Sequence, residues 1–269
     1  MKNNTAPTLI AVAGSSGAGK TSVAEEIAHR LNQDNPGSCI VISSDRYYRD
    51  RPDLSFSERC EVNYDHPDSI EFSLCRLQLQ ALKSGRAVHA PNYAFDTHSR
   101  TAETTRIDPA GVNVIVLEGI LLLADAANLT DLCDVKIFVE STPKVCLQRR
   151  VERDMQVRGR TEASVREQYE ATVGPMDVEF VRPSRANADL VVKNSMSMAM
   201  ETRALRFDLN PVMRYLEPTL AAGPSPMNQC MWRLFQSQTE IELTRHAGAE
   251  VAGECHDDLA LPRERCFIY

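Results

Sequence analysis

The stretch that most constrains this chain is Gly14-Ser15-Ser16-Gly17-Ala18-Gly19-Lys20-Thr21, a G-x-x-x-x-G-K-T loop. The run Leu9-Ile10-Ala11-Val12-Ala13 before it has the length and apolar character of a buried parallel strand. Behind it, Val23, Ile27 and Leu31 recur every four residues, which marks one face of a helix. An ordinary strand-to-helix turn is the bland explanation, but strand, glycine loop and helix together are the context the pattern requires. Glycines let successive N–H groups turn inward on a phosphate, and the helix N-terminus adds partial positive charge. Lys20 would reach the β- and γ-phosphates of a nucleotide, and Thr21 would offer its hydroxyl to Mg²⁺.

Composition narrows the class further. The chain has 269 residues, enough for one large domain or a domain with an appendage, and 43% of them are hydrophobic. A formal charge of −7 argues against a general nucleic-acid binder. The first residues show no signal-peptide apolar core, and the most apolar stretch, 112–123, is short and interrupted by Glu118. A cytoplasmic location with no membrane partner is the expectation. The eight cysteines include no C-x-x-C pair, and the spacing of Cys230, Cys255 and Cys266 is too irregular for a regular metal motif.

Taken in order, Cys39–Ser43 is a second strand ending at Ser44-Asp45-Arg46-Tyr47-Tyr48. Ligands in open α/β sheets lie beyond the carboxyl ends of strands, so Asp45 is either a proton-accepting carboxylate facing the phosphates or a turn aspartate. Residues 50–68 read as loop, with Asp65-His66 a polar turn or part of a site. Asp68 with Glu71 has capping-box spacing for a helix whose apolar face is Ile70, Leu74, Leu77 and Ala81, stopped at Gly85. Val88–Phe95 and Thr101–Ile107 form a projecting hairpin. Tyr93, Phe95 and His98 on it would hold a flat heterocycle or simply pack the hairpin. Glu118 ends a third strand, as a carboxylate near Mg²⁺ would. Strands at 135–139 and 189–192 bring the parallel sheet to five. Thr142-Pro143 caps a helix carrying Arg149, Arg150 and Arg153, followed by Arg158 and Arg160. Five arginines in twelve residues are a solvated ion-paired face or a lid that closes on phosphate, with Gly159 its hinge. A later helix ends or kinks near Gly174-Pro175. After residue 194 methionines and prolines dominate, and one helix is expected at 228–245, anchored by Trp232, Leu234 and Phe235.

With these motifs assembled, residues 8–193 resemble the uridine kinase (uridine–cytidine kinase) family of P-loop kinases. The likeness rests on the phosphate loop, Ser44–Tyr48, Asn63–Asp68, Pro91–Arg100, Glu118–Leu121, Arg149–Arg160 and Tyr169–Val192. The turn, the hairpin and the arginine lid are the selective parts. The resemblance implies a three-layer α/β fold: a five-stranded parallel sheet, a projecting β-hairpin and an arginine-bearing helical lid. Residues 194–269, which the likeness does not cover, read as a C-terminal accessory segment. The resemblance also implies ATP- or GTP-dependent phosphorylation of the 5′-hydroxyl of uridine or cytidine, with Mg²⁺, in a homo-oligomer, often a tetramer. Asp45, Lys20 and Arg153 would be catalytic. Gly14 to Thr21 and Arg158 would bind the donor. Asp65, Arg150 and Gln168 would hold the ribose, Tyr93 and His98 would meet the pyrimidine, Phe95 and the lid arginine Arg160 would also bind substrate, and Thr21 with Glu118 would form the metal environment.

The chain departs from the family pattern at Arg46, Ala94 and Lys193-Asn194-Ser195, the last falling where a Pro-x-Gly run often lies beside adenine. A related kinase acting on phosphoribulose or pantothenate is the principal alternative. A GTPase-like switch needs Asn-Lys-x-Asp, and Asn128-Leu129-Thr130-Asp131 lacks the lysine.

Overall fold

The computed structural model describes residues 6–194 and 209–221, with the pair Phe267–Ile268. Its centre is a parallel sheet of β1 (Thr8–Gly14), β2 (Cys39–Ser43), β5 (Val114–Glu118), β6 (Val135–Glu140) and β7 (Leu190–Lys193). These lie in the order β2-β5-β1-β6-β7, and Phe267–Ile268 pairs on the outer side of β7. In register, Leu9 stands opposite Ile115, and Ala11 opposite both Leu117 and Lys136. Leu9, Ala11 and Ala13 bury toward one face, Ile10 and Val12 toward the other. A strand covered on both faces needs such an unbroken apolar run. Because β1 is central, the loop that follows it emerges at the middle of the carboxyl edge, where a doubly wound sheet places its ligands.

Helix α1 (Lys20–Asp34) buries Val23, Ile27 and Leu31 against one face. Helix α3 (Phe72–Lys83) covers the other with Cys75, Leu79 and Leu82. Here the sequence expectation fails in detail. Leu77 points outward, 64% exposed. The Asp68–Glu71 capping box does not form. Ile70 is extended and buried in a bridge with Tyr48, and α3 begins two residues later with Glu71 as its first cap residue. The Glu71 carboxylate is engaged by Arg100 at 2.8 Å instead. Within the expected loop at 50–68, a capping box does form between Ser55 and Glu58 and starts the short helix α2 (Phe56–Cys60).

The hairpin of β3 (Val88–Ala94) and β4 (Ser99–Ile107) is a separate two-stranded sheet. Its register slips between Pro91 and Tyr93, a bulge. Arg100 ties it down by donating to the Tyr48 and Tyr47 carbonyls at 2.9 and 3.2 Å. Helix α4 (Pro143–Arg158) has the expected Thr142 cap and Pro143 start, and ends at Gly159 in the left-handed conformation. Helix α5 (Glu162–Gln168) runs on into two wide π-type stretches, Tyr169–Val173 and Asp177–Val181. The chain therefore stays helical through Pro175; a wider turn relieves the clash between a proline ring and the preceding turn.

A helix at Asn210–Ala221 lays Leu209, Val212, Met213 and Leu216 into the same cluster as Val23, Ile27 and Leu31. Part of the segment after residue 193 is thus core material. Pro211 sits in its first turn, where a proline costs no hydrogen bond, and Pro218 lies inside it without ending it. The helix expected at 228–245, its Trp232 anchor and Cys230, Cys255 and Cys266 lie outside the described residues. No helix among those described is long and apolar enough to cross a membrane.

Candidate active site

The phosphate loop runs from β1 into α1 with Gly19 left-handed just before Lys20. Gly17 sits at φ 83°, and a side chain there would collide with the Cys146 carbonyl of α4 at 2.3 Å, so loop and lid helix meet backbone to backbone. Lys20 is buried and donates to the Ser15 carbonyl at 2.9 Å. Burial lowers its pKa, and Glu118 and Asp45 partly offset this. Thr21 donates through Oγ1 to Glu118 Oε2 at 3.3 Å. Behind Glu118, Gly119 is required by space: a Cβ would fall 1.8 Å from Ser44 Oγ.

Asp45 lies in a 3₁₀ turn, Ser44–Tyr47, directly after β2, with its own N–H held by Ser43 Oγ at 3.3 Å. Its carboxyl lines a cavity of about 310 Å³ beside the loop. Burial first, then the Glu118 carboxylate, push its pKa up to about 6, with Lys20, Arg158 and Arg153 pulling the other way. The same cavity takes in Ser16, Asp65, Tyr93, Phe95, His98 and Gln168, together with Arg150, Arg153, Arg158 and Arg160. Residues scattered over more than 150 positions therefore converge on one space, while Gly14, Ser15, Gly17, Ala18, Gly19, Lys20, Thr21 and Glu118 form the adjoining phosphate loop and its acidic neighbour.

The cavity has two chemical ends. Toward the hairpin it is aromatic. His98 stacks on Tyr64 at 5.0 Å between centroids, and Tyr48 meets Tyr93 at 5.1 Å and Phe95 at 6.4 Å edge-on. His98 is left-handed at the hairpin tip, φ 50°, a conformation that few residues with a side chain adopt. Burial, then Arg158 and Arg160, lower its pKa. The Arg158 guanidinium sits 4.2 Å over the Phe95 ring. Toward the loop the cavity is ionic. Arg150 donates to Ser16 Oγ at 2.8 Å and to Gln168 Oε1 at 3.0 Å, and Arg160 donates to the same Gln168 oxygen. Asp65 is buried, which raises its pKa, against the pull of Arg150.

The arginines are neither free nor merely solvated. Asp154, fully buried, gathers Arg153 at 2.8 Å, Arg158 at 3.4 Å, and Arg150 and Arg160 at 3.7 Å. Its backbone carbonyl also accepts from Gly159 and Arg160, closing the turn between α4 and α5. Four guanidiniums about one carboxylate leave a net positive cluster beside the loop, suited to a polyanion. Sequence reading missed this hub, and it missed Tyr48, Tyr64, Cys60 and Ile120 in the cavity wall. A signal existed for Asp154: it stands four residues after Arg150 and four before Arg158.

Comparison with known proteins agrees with this geometry. The sequence pattern of the Phosphoribulokinase / Uridine kinase family matches residues 9–201. The uridine kinase of Lactobacillus johnsonii is 40% identical over 210 residues, covering 77% of this chain and 97% of that protein. The chain belongs to the phosphoribulokinase/uridine kinase family. Another similar member, the uridine kinase of Salmonella newport, is 43% identical over 185 residues, 68% of this chain and 85% of that protein. In fold, D-glycerate 3-kinase from Cryptococcus neoformans superposes with a TM-score of 0.52 over 70% of this chain and 86% of its own, at 13% identity. That likeness shows the shared kinase fold and no more. The family membership makes this chain a P-loop kinase with ATP as the implied donor.

Proposed function

We propose that this kinase phosphorylates the 5′-hydroxyl of uridine, cytidine or both, using Mg²⁺·ATP. The observation that carries the proposal is one cavity with an aromatic end, polar side chains beyond it and a carboxylate beside a phosphate loop. The names of the relatives at 40–43% identity support it.

The aromatic end accepts a flat ring among Tyr48, Tyr64, Tyr93 and Phe95. A neutral His98 has one donor and one acceptor nitrogen, so it can meet either O4 of uracil or N4 of cytosine. Asp65, Arg150 and Gln168 supply acceptors and donors for the ribose hydroxyls. Asp45 then stands beside the 5′-hydroxyl. It takes the proton as that oxygen forms a bond to the γ-phosphorus, while the β–γ bridging bond breaks and its electron pair leaves with ADP. Lys20 and the lid arginines balance charge on the transferring group.

The residues fit a divalent cation of the magnesium type. The Thr21 hydroxyl and the Glu118 carboxylate are hard oxygen donors within 3.3 Å of each other, with Asp45 nearby. Bound there, Mg²⁺ would neutralise phosphate charge. The homo-oligomer implied by the family is part of the same proposal.

The test is ADP release by purified protein with Mg²⁺ and ATP or GTP, across a nucleoside panel, ribulose 5-phosphate and pantothenate. Turnover with uridine or cytidine is expected. Turnover with only a sugar phosphate or pantothenate would overturn the proposal. Size-exclusion mass checks the assembly.

A further inference from the structure

Asp45 and Tyr93 face the cavity, and the residue beside each of them faces away into a shared contact. Arg46, next to Asp45, sends its guanidinium across to the hairpin. It donates to Asn92 Oδ1, to Thr105 Oγ1 at 3.3 Å and to the Pro91 carbonyl at 3.4 Å. Thr105 in turn donates to Asn92 Oδ1 at 2.8 Å, and Asn92 Nδ2 donates to the Glu103 carbonyl at 3.3 Å. This cluster sits at the register slip between Pro91 and Tyr93. A bulge re-aims the side chain that follows it, and here that side chain is Tyr93.

We propose that Arg46, through Asn92 and Thr105, is a positioning residue that locks the nucleoside-reading hairpin to the turn carrying the proton-accepting carboxylate Asp45. The proposal rests on the nucleoside reading given above. The physical reason is registration. The hairpin is not part of the main sheet, yet it holds one end of the substrate while the turn after β2 addresses the other. An isolated two-stranded sheet is marginally stable and needs outside ties to hold a fixed angle. Arg100 ties the hairpin to the backbone of Tyr47 and Tyr48. Arg46 is the tie at the bulge itself, one residue from each of the two groups that must be registered.

The experiment compares wild type with Arg46→Ala, Asn92→Ala, the double variant and Thr105→Val, which removes the hydroxyl and keeps shape. Steady-state kinetics are measured separately for nucleoside and ATP. Amide hydrogen exchange of the free proteins is followed over residues 44–48 and 91–95. Expected for Arg46→Ala is a loss in nucleoside kcat/KM of about 10–100-fold, the scale of a misaligned reacting pair, with the KM for ATP unchanged. Asn92→Ala should show a similar loss and the double variant little more than either, because one link has been cut twice. Exchange should quicken in both segments together. Thr105→Val should show a smaller loss of the same kind even if Arg46→Ala folds poorly. Unchanged nucleoside kinetics with only a lower Tm, or losses that multiply in the double variant, would overturn the proposal. If wild type phosphorylates no nucleoside, the functional reading fails by itself. The exchange data then decide the link: quickening confined to one segment, or none, overturns it.

Discussion

Asp45 carries opposing demands. Burial and the neighbouring Glu118 raise its pKa to about 6, so the folded protein holds this proton more tightly than the unfolded chain does at about 3.9. Deprotonation then favours unfolding: the penalty grows as pH rises from about 4 to about 6 and stays constant above. Asp45→Asn should therefore have a higher Tm than wild type at pH 8, the gap closing by about pH 4, while kcat drops about 10²–10⁴-fold. Thermal unfolding at both pH values with matched assays checks it. A variant no more stable at pH 8, or one with near-normal turnover, contradicts this account. In wild type, nucleoside kcat/KM should fall on the acid side as Asp45 protonates. His98→Ala is expected to raise the nucleoside KM about 5–150-fold, the worth of about 1–3 kcal/mol for a buried hydrogen bond, and to leave the ATP KM alone. Lower stability with unchanged KM would make His98 a packing residue.

At the scale of elements, local chemistry was legible and tertiary competition was not. The Thr142-Pro143 start and the Gly159 end of α4 depend on their own few residues, and both are present. The Asp68–Glu71 box failed because Arg100, from a hairpin strand, claimed Glu71. Leu77 is turned out because the sheet, not the helix's own periodicity, chose the buried face. Tyr47 and Tyr48 are adjacent and alike in sequence, yet only Tyr48 lines the cavity. The lid arginines were visible, but the carboxylate that gathers them was not weighed as their organiser. Asp154→Asn removes that charge and leaves guanidiniums facing one another. A loss of about 1–3 kcal/mol is expected, less than for a fully enclosed pair because Arg153 is 41% exposed. Saturating Mg²⁺·ATP should recover part of it, since the triphosphate supplies the missing negative charge. An equal loss with and without nucleotide in thermal unfolding would speak against a phosphate-facing cluster.

For the whole molecule, a boundary drawn at residue 193 encloses neither the core nor every neighbour of the phosphate loop, since the Asn194 amide donates to the Ala18 carbonyl at 2.9 Å. Leu209, Val212, Met213 and Leu216 belong to the buried cluster that α1 shares with the sheet. Leu216→Ala should cost about 2–5 kcal/mol and leave both KM values unchanged. A chain ending at Asn194 keeps every candidate site residue, so phosphoryl transfer should persist at low temperature with a markedly lower Tm. Calorimetry with an assay at about 15 °C decides. An unchanged Tm, or a folded but inactive protein, would show that the helix at Asn210–Ala221 is placed or used differently.

That late helix also sets an order of events during synthesis. A ribosome delivers the phosphate loop, the hairpin, the lid and the last of β7 before it delivers Leu209 to Leu216. Until those residues leave the exit tunnel, the nascent kinase leaves part of the apolar cluster shared by α1 and the sheet uncovered, and its candidate site residues are present before that cluster is finished. A chain arrested near residue 194 should be captured by holdase chaperones more readily than one arrested well beyond residue 221.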